Sequence, residues 1–179
     1  PEGRPSATAF RTSSYGRRCS EELAYHAPVS DDLPTDQLVA LADELRDLLG
    51  SGGWLDPADA PQLTVDYRGA YSGVPVLIAR PDTVDDLRVV VRARAAAGVA
   101  VVTQGGHTSL SGGSVPTYYR PSVLLWTSRL NRITSGDPAR FTITVEAGCT
   151  LEPVQPAAAA VDRALGMDWG ARGTATRRG

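Results

Sequence analysis

An α+β fold is what this sequence predicts, and three observations predict it. Two short apolar runs, at 74–79 and 99–103, flank a helical segment, so residues 76–103 form a compact strand–helix–strand unit whose two strands must be parallel. Further strand-like segments at 122–126 and 141–146 follow with turn residues between them, the start of a mixed or antiparallel sheet behind the small parallel one. A loop dense in glycine and serine leaves the second apolar run, at the point where strands of a parallel sheet end.

Taken in order, residues 1–33 mix Arg, Ser, Pro and Gly without helical or strand period and read as a disordered or extraneous tail. Acidic residues are scarce between Glu2 and Glu21 while Arg4, Arg11, Arg17 and Arg18 accumulate. An organelle-targeting peptide therefore stands beside a disordered extension or a translated upstream stretch as an alternative. From Thr35 the pattern sharpens. Leu38, Leu41, Leu45 and Leu48 recur at spacings of three and four between Pro34-Thr35 and Gly50-Ser51-Gly52-Gly53, which predicts an amphipathic helix. Trp54, Asp56 and Pro57 are assigned to a loop. Val74-Pro75-Val76-Leu77-Ile78-Ala79, stopped by Arg80-Pro81-Asp82, predicts a buried strand.

Thr83-Val84-Asp85-Asp86 is a capping box: the Asp86 carboxylate can reach back to the Thr83 amide, and both acids favour the positive end of the helix dipole. The helix it opens should run to Gly98, and Val99-Ala100-Val101-Val102-Thr103 should form the second buried strand after a right-handed crossover. The strands at 122–126 and 141–146 are expected on either side of a turn at Ser135-Gly136-Asp137-Pro138. A last helix is expected over 151–165, capped by Thr150, with Pro156 weakening its first turns.

Composition narrows the function classes. Apolar residues at 42% against 21% charged give the balance of a globular chain, and no apolar run approaches the roughly 20 residues that cross a bilayer. Eighteen basic residues, all arginine, nearly cancel 20 acidic ones, so no strong field gathers nucleic acid or an anionic membrane. A small-molecule partner is the expectation. Cys19 and Cys149 lie far apart, without CxxC spacing or a nearby histidine pair, which points to neither a zinc site nor a disulfide framework and fits a reducing cytoplasm.

The chemistry is concentrated in Thr103-Gln104-Gly105-Gly106-His107-Thr108-Ser109-Leu110-Ser111-Gly112-Gly113-Ser114. Glycines let main-chain amides approach a ligand and point at an anion, and a diphosphate is the natural occupant. A flexible linker is the competing reading, but a linker has no need of Leu110 and His107 or of attachment to a strand end. The Walker pattern requires a lysine, which this chain lacks, and the Rossmann pattern requires GxGxxG opening a helix, whereas these glycines come in pairs followed by Pro116.

Five segments in order resemble a known family: Asp66-Tyr67-Arg68-Gly69 with Tyr71 and Gly73; Arg80-Pro81; the loop from Gln104 to Pro116; Val145-Glu146-Ala147-Gly148-Cys149-Thr150-Leu151-Glu152; and Met167-Asp168-Trp169-Gly170-Ala171-Arg172-Gly173-Thr174-Ala175-Thr176. Over 66–176 the chain is similar to the FAD-linked oxidases with the fold shared by vanillyl-alcohol oxidase and p-cresol methylhydroxylase, in the branch of D-2-hydroxyglutarate and D-lactate/glycolate dehydrogenases. Each motif alone is weak; the ordered set is specific.

The resemblance implies a PCMH-type FAD-binding domain over 34–179. It assigns Gln104, Gly105, Gly106, His107, Thr108, Ser109, Leu110, Gly112, Gly113 and Ser114 to the loop around the FAD pyrophosphate. Gly170, Arg172, Gly173 and Thr174 would lie along the cofactor on its other side, and Ala147 and Gly148 at a strand end under it. Glu146 reads as a solvated or hydrogen-bonded carboxylate. Asn usually follows the paired glycines in this branch; a related branch has Gly-Gly-His there and tethers flavin covalently. His107 is thus either a covalent anchor or a noncovalent hydrogen-bonding group. Trp54, Trp126 and Trp169 are expected to pack rather than to stack on flavin, and His26 has no evident role.

The family continues after Thr174-Ala175-Thr176 with Ile-Gly-Gly, a further flavin loop and a substrate domain, whereas this sequence gives Arg177-Arg178-Gly179. An incomplete, C-terminally truncated or frameshifted domain is therefore expected. The implied reaction is oxidation of a small 2-hydroxy acid by hydride transfer to flavin N5, with no catalytic residue or metal ligand assigned in this chain. Two alternatives are a noncatalytic remnant and a subunit whose FAD site is completed by a separate C-terminal chain.

Overall fold

The computed structural model describes residues 33–166, 170–171 and 173–175. The expectations for the 1–33 tail up to residue 32, with Cys19 and His26, and those for Met167, Asp168, Trp169, Arg172 and 176–179, lie outside the described residues.

Helix α1 (Thr35–Leu49) is followed by β1 (Trp54–Leu55) and two single turns of 3-10 helix, Pro57–Asp59 and Pro61–Leu63. Then come β2 (Leu77–Ala79), α2 (Val84–Ala96), β3 (Ala100–Gln104) and β4 (Ser122–Trp126). A hairpin of β5 (Ile133–Asp137) and β6 (Thr142–Val145) leads into α3 (Leu151–Ala159). The main sheet has the order β1-β2-β4-β3: β4 runs parallel to both β2 and β3, and β1 pairs antiparallel to β2.

The position of β4 corrects the expectation that 122–126 belongs with 141–146. Val123, Leu124 and Leu125 are buried, and a continuous apolar run of that kind needs cover on both faces, which only a central strand receives. Strand β3, less buried along its length, takes the edge, so β2 and β3 are parallel with β4 between them.

Period-two alternation sorts the side chains. Leu77, Ala79, Val123 and Leu125 meet Leu41 and Leu45 of α1 and Val90 and Ala93 of α2. Ile78 and Leu124 face the other way, onto Ala60 and Leu63, with Leu55, Val102 and Trp126 packed alongside. Leu48 departs from the predicted helical stripe at 51% exposure, and Leu49 packs against the core in its place.

The capping box forms as expected: the Asp86 amide donates to Thr83 Oγ1 and the Thr83 amide to Asp86 Oδ2, both at 3.1 Å. At the other end the Val99 amide reaches Arg94 O (2.9 Å) and the Gly98 amide reaches Ala95 O (3.2 Å), which stops α2 just short of the predicted Gly98.

Other boundaries shift for identifiable reasons. Trp54 and Leu55, assigned to a loop, form an edge strand, with Trp54 under the Arg46 guanidinium. Ser135, Gly136 and Asp137, assigned to a turn, belong to β5. The turn lies instead at 138–141, where Asp137 Oδ1 accepts the amides of Ala139 and Arg140, both at 3.1 Å. Helix α3 ends at Ala159 rather than 165, with Asp162 in the left-handed region soon after (φ 55°). No helix among the described residues is long and apolar enough to cross a membrane.

Candidate functional site

The glycine-rich loop leaves the carboxyl end of β3 beside the end of β4, and in open parallel sheets that edge is where ligands lodge. Its start is anchored by Gln104, which is fully buried: Nε2 donates to Leu63 O and to Ser114 O, both at 2.9 Å. One side chain thereby ties the first residue of the loop to its last. The Gln104 carbonyl accepts the Thr127 amide (3.0 Å) and hydroxyl (3.3 Å), joining the loop to the segment after β4. Gln104, assigned to the cofactor by sequence, also serves as a clasp inside the loop.

His107 adopts φ 59°, a left-handed conformation that costs a residue with a Cβ about 1–2 kcal/mol and that His and Asn enter more readily than most. Its Nε2 lies 2.7 Å from the Val65 carbonyl. Because a carbonyl only accepts, Nε2 is the nitrogen that carries the proton in this contact, and in the neutral form of the ring the lone pair lies on Nδ1. That Nδ1 is buried and has no hydrogen-bond partner among the described residues.

Val65 belongs to a turn organised by Asp66. The Asp66 carboxylate accepts the Tyr71 amide at 2.6 Å and the Arg68 amide at 3.2 Å, and the Asp66 amide donates to Tyr71 O at 2.8 Å. The Tyr71 amide, ahead of the opposing effect of burial, holds the Asp66 carboxyl below its ordinary value. The turn presses on the glycine-rich loop. Gly112 (φ 73°) lies so close to the Tyr71 ring that a Cβ there would stand 2.6 Å from Tyr71 Cγ.

A second wall comes from 127–131 and 146–150. The Leu130 amide donates to Thr127 O (2.9 Å) and the Gly148 amide to Leu130 O (2.8 Å). A Cβ on Gly148 would overlap the Thr127 carbonyl oxygen, so only glycine permits this approach. Between the two walls lies a cleft of about 490 Å³ lined by Leu63, Gly105, Gly106, His107, Trp126, Ser128, Asn131, Gly148, Thr150, Pro153, Gly173 and Thr174.

Three sequence-separated groups of expected site residues thus meet: Gly105, Gly106 and His107; Gly148; Gly173 and Thr174. Thr108, Ser109, Leu110, Gly112, Gly113, Ser114, Ala147 and Gly170 do not line this cleft, and Leu110 is 59% exposed. Sequence reasoning missed Leu63, Ser128, Asn131, Thr150 and Pro153. The signal for Ser128 and Asn131 was available, since residues directly after a parallel strand's carboxyl end face the ligand crevice. Thr150, expected to cap α3, makes no side-chain cap hydrogen bond and lines the cleft instead. Trp126 packs on the Leu124 cluster, as expected, with Arg80 over its ring, and also lines the cleft.

Glu146 stays out of the cleft, in a fork with Arg132: Nη2 donates to Oε1 at 2.9 Å and the Arg132 amide to Oε2 at 2.8 Å. Arg132 holds the Glu146 carboxyl below its ordinary value, and Glu146 raises the Arg132 guanidinium in return. Cys149 is buried and its thiol is pushed up by that burial, so it acts as a small packing group rather than a thiolate. The cleft therefore offers main-chain surface from glycines, hydroxyls from Ser128, Thr150 and Thr174, the Asn131 amide and one imidazole, over an apolar floor of Leu63 and Trp126. Such a surface suits a polar anion joined to a flat apolar ring system.

Comparison with known proteins gives the same picture. The FAD binding domain family matches residues 75–178. A D-2-hydroxyglutarate dehydrogenase of Xanthomonas citri pv. viticola is 36% identical over 119 residues, covering 66% of this chain and 25% of that protein. Among solved structures, alkyldihydroxyacetonephosphate synthase superposes with a TM-score of 0.67 at 17% identity, over 87% of this chain and 30% of that one. p-Cresol methylhydroxylase superposes with a TM-score of 0.61 at 18% identity, over 75% and 27% respectively. The fold is that of the PCMH-type FAD-binding oxidases, and the chain spans about a quarter of the length of the curated relative.

Proposed function

Since the chain belongs to the FAD binding domain family, with FAD as the cofactor, we propose that it is the FAD-holding part of an oxidoreductase acting on the CH–OH group of a small 2-hydroxy acid. The observation that carries this reading is the cleft itself, in which the glycine-rich loop, Gly148 and the pair Gly173–Thr174 converge from distant parts of the sequence.

Two features of the cleft fit the cofactor. Gly105, Gly106, Gly148 and Gly173 give a bulky anion unobstructed main chain. His107 Nδ1 and Ser128 Oγ, both on lining residues, are buried polar atoms without partners among the described residues, and a ligand rich in donors and acceptors relieves that cost. In this reading Gly105 and Gly106 face the diphosphate, the Gln104 clasp and the loop from Thr108 to Ser114 hold them in place, and Gly148, Gly173 and Thr174 close the opposite side. When bound, the flavin would supply the redox chemistry, as the acceptor at N5 for hydride from the α-carbon of the 2-hydroxy acid. The chain's own residues bind and orient: the Gln104 clasp fixes the loop ends, and Leu63 and Trp126 exclude water from the floor. His107 presents Nδ1 as a hydrogen-bond acceptor, with a covalent tether to flavin as the other outcome to be tested.

Titration of the purified chain with FAD tests the proposal. A flavin absorption band that survives gel filtration is the expected result. A chain that stays colourless with excess FAD, alone and co-expressed with the remainder of a full-length relative, overturns it. Colour carried into an acid precipitate, and lost from it in His107→Asn, assigns covalent attachment to His107; colour left in the supernatant shows that the flavin is held noncovalently.

A further inference from the structure

The turn at 65–72 touches the glycine-rich loop twice, and one carboxylate lies between the two contacts. At one end the Val65 carbonyl accepts from His107 Nε2. At the other the Tyr71 ring fills the space that a side chain at Gly112 would need. Between these points the chain reverses through Gly69 (φ 70°), and Val65 pairs with Ser72 in an antiparallel bridge. Asp66 closes the reversal from within: it is 4% exposed, and its oxygens accept the Tyr71 and Arg68 amides.

We propose that Asp66 is a positioning residue for the flavin site, holding the Val65 carbonyl so that the His107 proton stays on Nε2 and the Nδ1 lone pair is left for the cofactor, while seating Tyr71 against Gly112. The inference rests on the FAD reading above and adds the group that orients its imidazole. The physical logic is that of a buried acceptor pairing with main-chain donors. Without the carboxylate, the Tyr71 and Arg68 amides lose that partner, the turn keeps only its main-chain bonds, and the carbonyl facing His107 is held less firmly. An imidazole released from Val65 exchanges its proton between the two nitrogens, and the lone pair no longer has a fixed direction. Asp66 touches neither cofactor nor substrate; it acts through Val65, His107 and Tyr71.

The tautomer can be read without FAD, which separates this inference from the function it serves. The full chain contains two histidines, His26 and His107, so imidazole nitrogen-15 spectra of the labelled protein are simple, and H107N identifies the relevant signals by their loss. Wild type is expected to show His107 protonated on Nε2. D66A should give a mixed or exchanging pattern and about tenfold weaker FAD binding, whereas D66N, which keeps an acceptor for the Tyr71 amide, should hold the Nε2–H pattern and most of the affinity.

Two results overturn the proposal: a His107 protonated on Nδ1 in the wild-type chain, or a folded D66A chain with wild-type imidazole spectrum and FAD affinity. If D66A does not fold, the wild-type and D66N spectra decide on the same criterion. A chain that binds no FAD overturns the functional reading alone, because the imidazole pattern still reports whether Asp66 sets the ring.

Discussion

The four-stranded sheet and the β5–β6 hairpin are close neighbours in the chain, yet they are held by different forces. In the sheet, Leu77, Ile78, Val123 and Leu124 are fully buried, and helices α1 and α2 cover one face. In the hairpin most residues of β5 are exposed and β6 alternates between exposed and half-buried; Phe141 is 76% exposed and Val161, beyond α3, 47%. The hairpin owes its shape to local chemistry: the Asp137 turn, the Arg132–Glu146 fork, and Arg163 stacked on Phe141 with its centre 4.5 Å from the ring. The cleft lies where these two regimes meet. Its loop wall grows from the buried sheet, and the wall carrying Gly148 follows the hairpin. The comparison teaches that the ligand-facing geometry is preformed on one side and dependent on local contacts on the other.

The sharpest way to break the comparison is to make matched deletions. Leu124→Ala should cost about 2–5 kcal/mol and reduce the population of folded chain, as read by urea denaturation followed by circular dichroism. Ile143→Ala in the half-buried β6 should cost about 1 kcal/mol or less. Equal losses at the two sites would mean the hairpin is as much core as the sheet. Next in size is Gly148→Ala, where the added methyl overlaps the Thr127 carbonyl and the backbone must move. It should destabilise by about 1–3 kcal/mol and weaken FAD binding by tenfold or more, measured by flavin fluorescence titration. Retained affinity in this variant would remove Gly148 from the cofactor wall.

What was legible in the sequence follows the same division. The capping box at Thr83 and Asp86, the apolar runs of β2 and β3, and the glycine pairs at 105–106 announce themselves because each depends on neighbours in sequence. The order of the sheet is a long-range property: Val123-Leu124-Leu125 says that a strand is buried on both faces, but not which strands flank it. Strand β5 was invisible for the opposite reason. Ile133-Thr134-Ser135-Gly136-Asp137 has little apolar content, and its pairing with β6 is a matter of main-chain bonds and one turn. In the site, glycines were legible because few other residues tolerate such close approach, whereas Leu63, Asn131 and Pro153 look ordinary until the fold assembles them. Gln104 was drawn to the ligand by its place in the motif. Only the burial of its amide, bonded to Leu63 and Ser114, reveals a clasp.

Smaller effects sharpen the comparison on its weaker side. The Arg132–Glu146 fork lowers the Glu146 carboxyl, so its stabilisation is fully present above the ordinary carboxylate value of 4.5 and is lost as pH falls through the lowered folded value. Arg132 is 57% exposed, so solvent screening keeps the contribution small. Glu146→Gln should therefore lower the melting temperature slightly at neutral pH and converge with wild type in acid; a constant difference at all pH values would assign the effect to packing.

The smallest expected change in stability is at His107, on the preformed wall. Its φ of 59° is a conformation that Asn also accepts, so His107→Asn should leave the melting temperature nearly unchanged while His107→Ala loses about 1 kcal/mol to backbone strain. Both variants remove the ring whose Nε2 meets Val65. If the loop is set mainly by the Gln104 clasp and the Tyr71 contact, FAD binding by His107→Asn falls only by the imidazole's own share, a few-fold. A loss as large as that expected for Gly148→Ala would show instead that the His107–Val65 bond holds the loop in place, and that the loop wall is no more preformed than the one opposite.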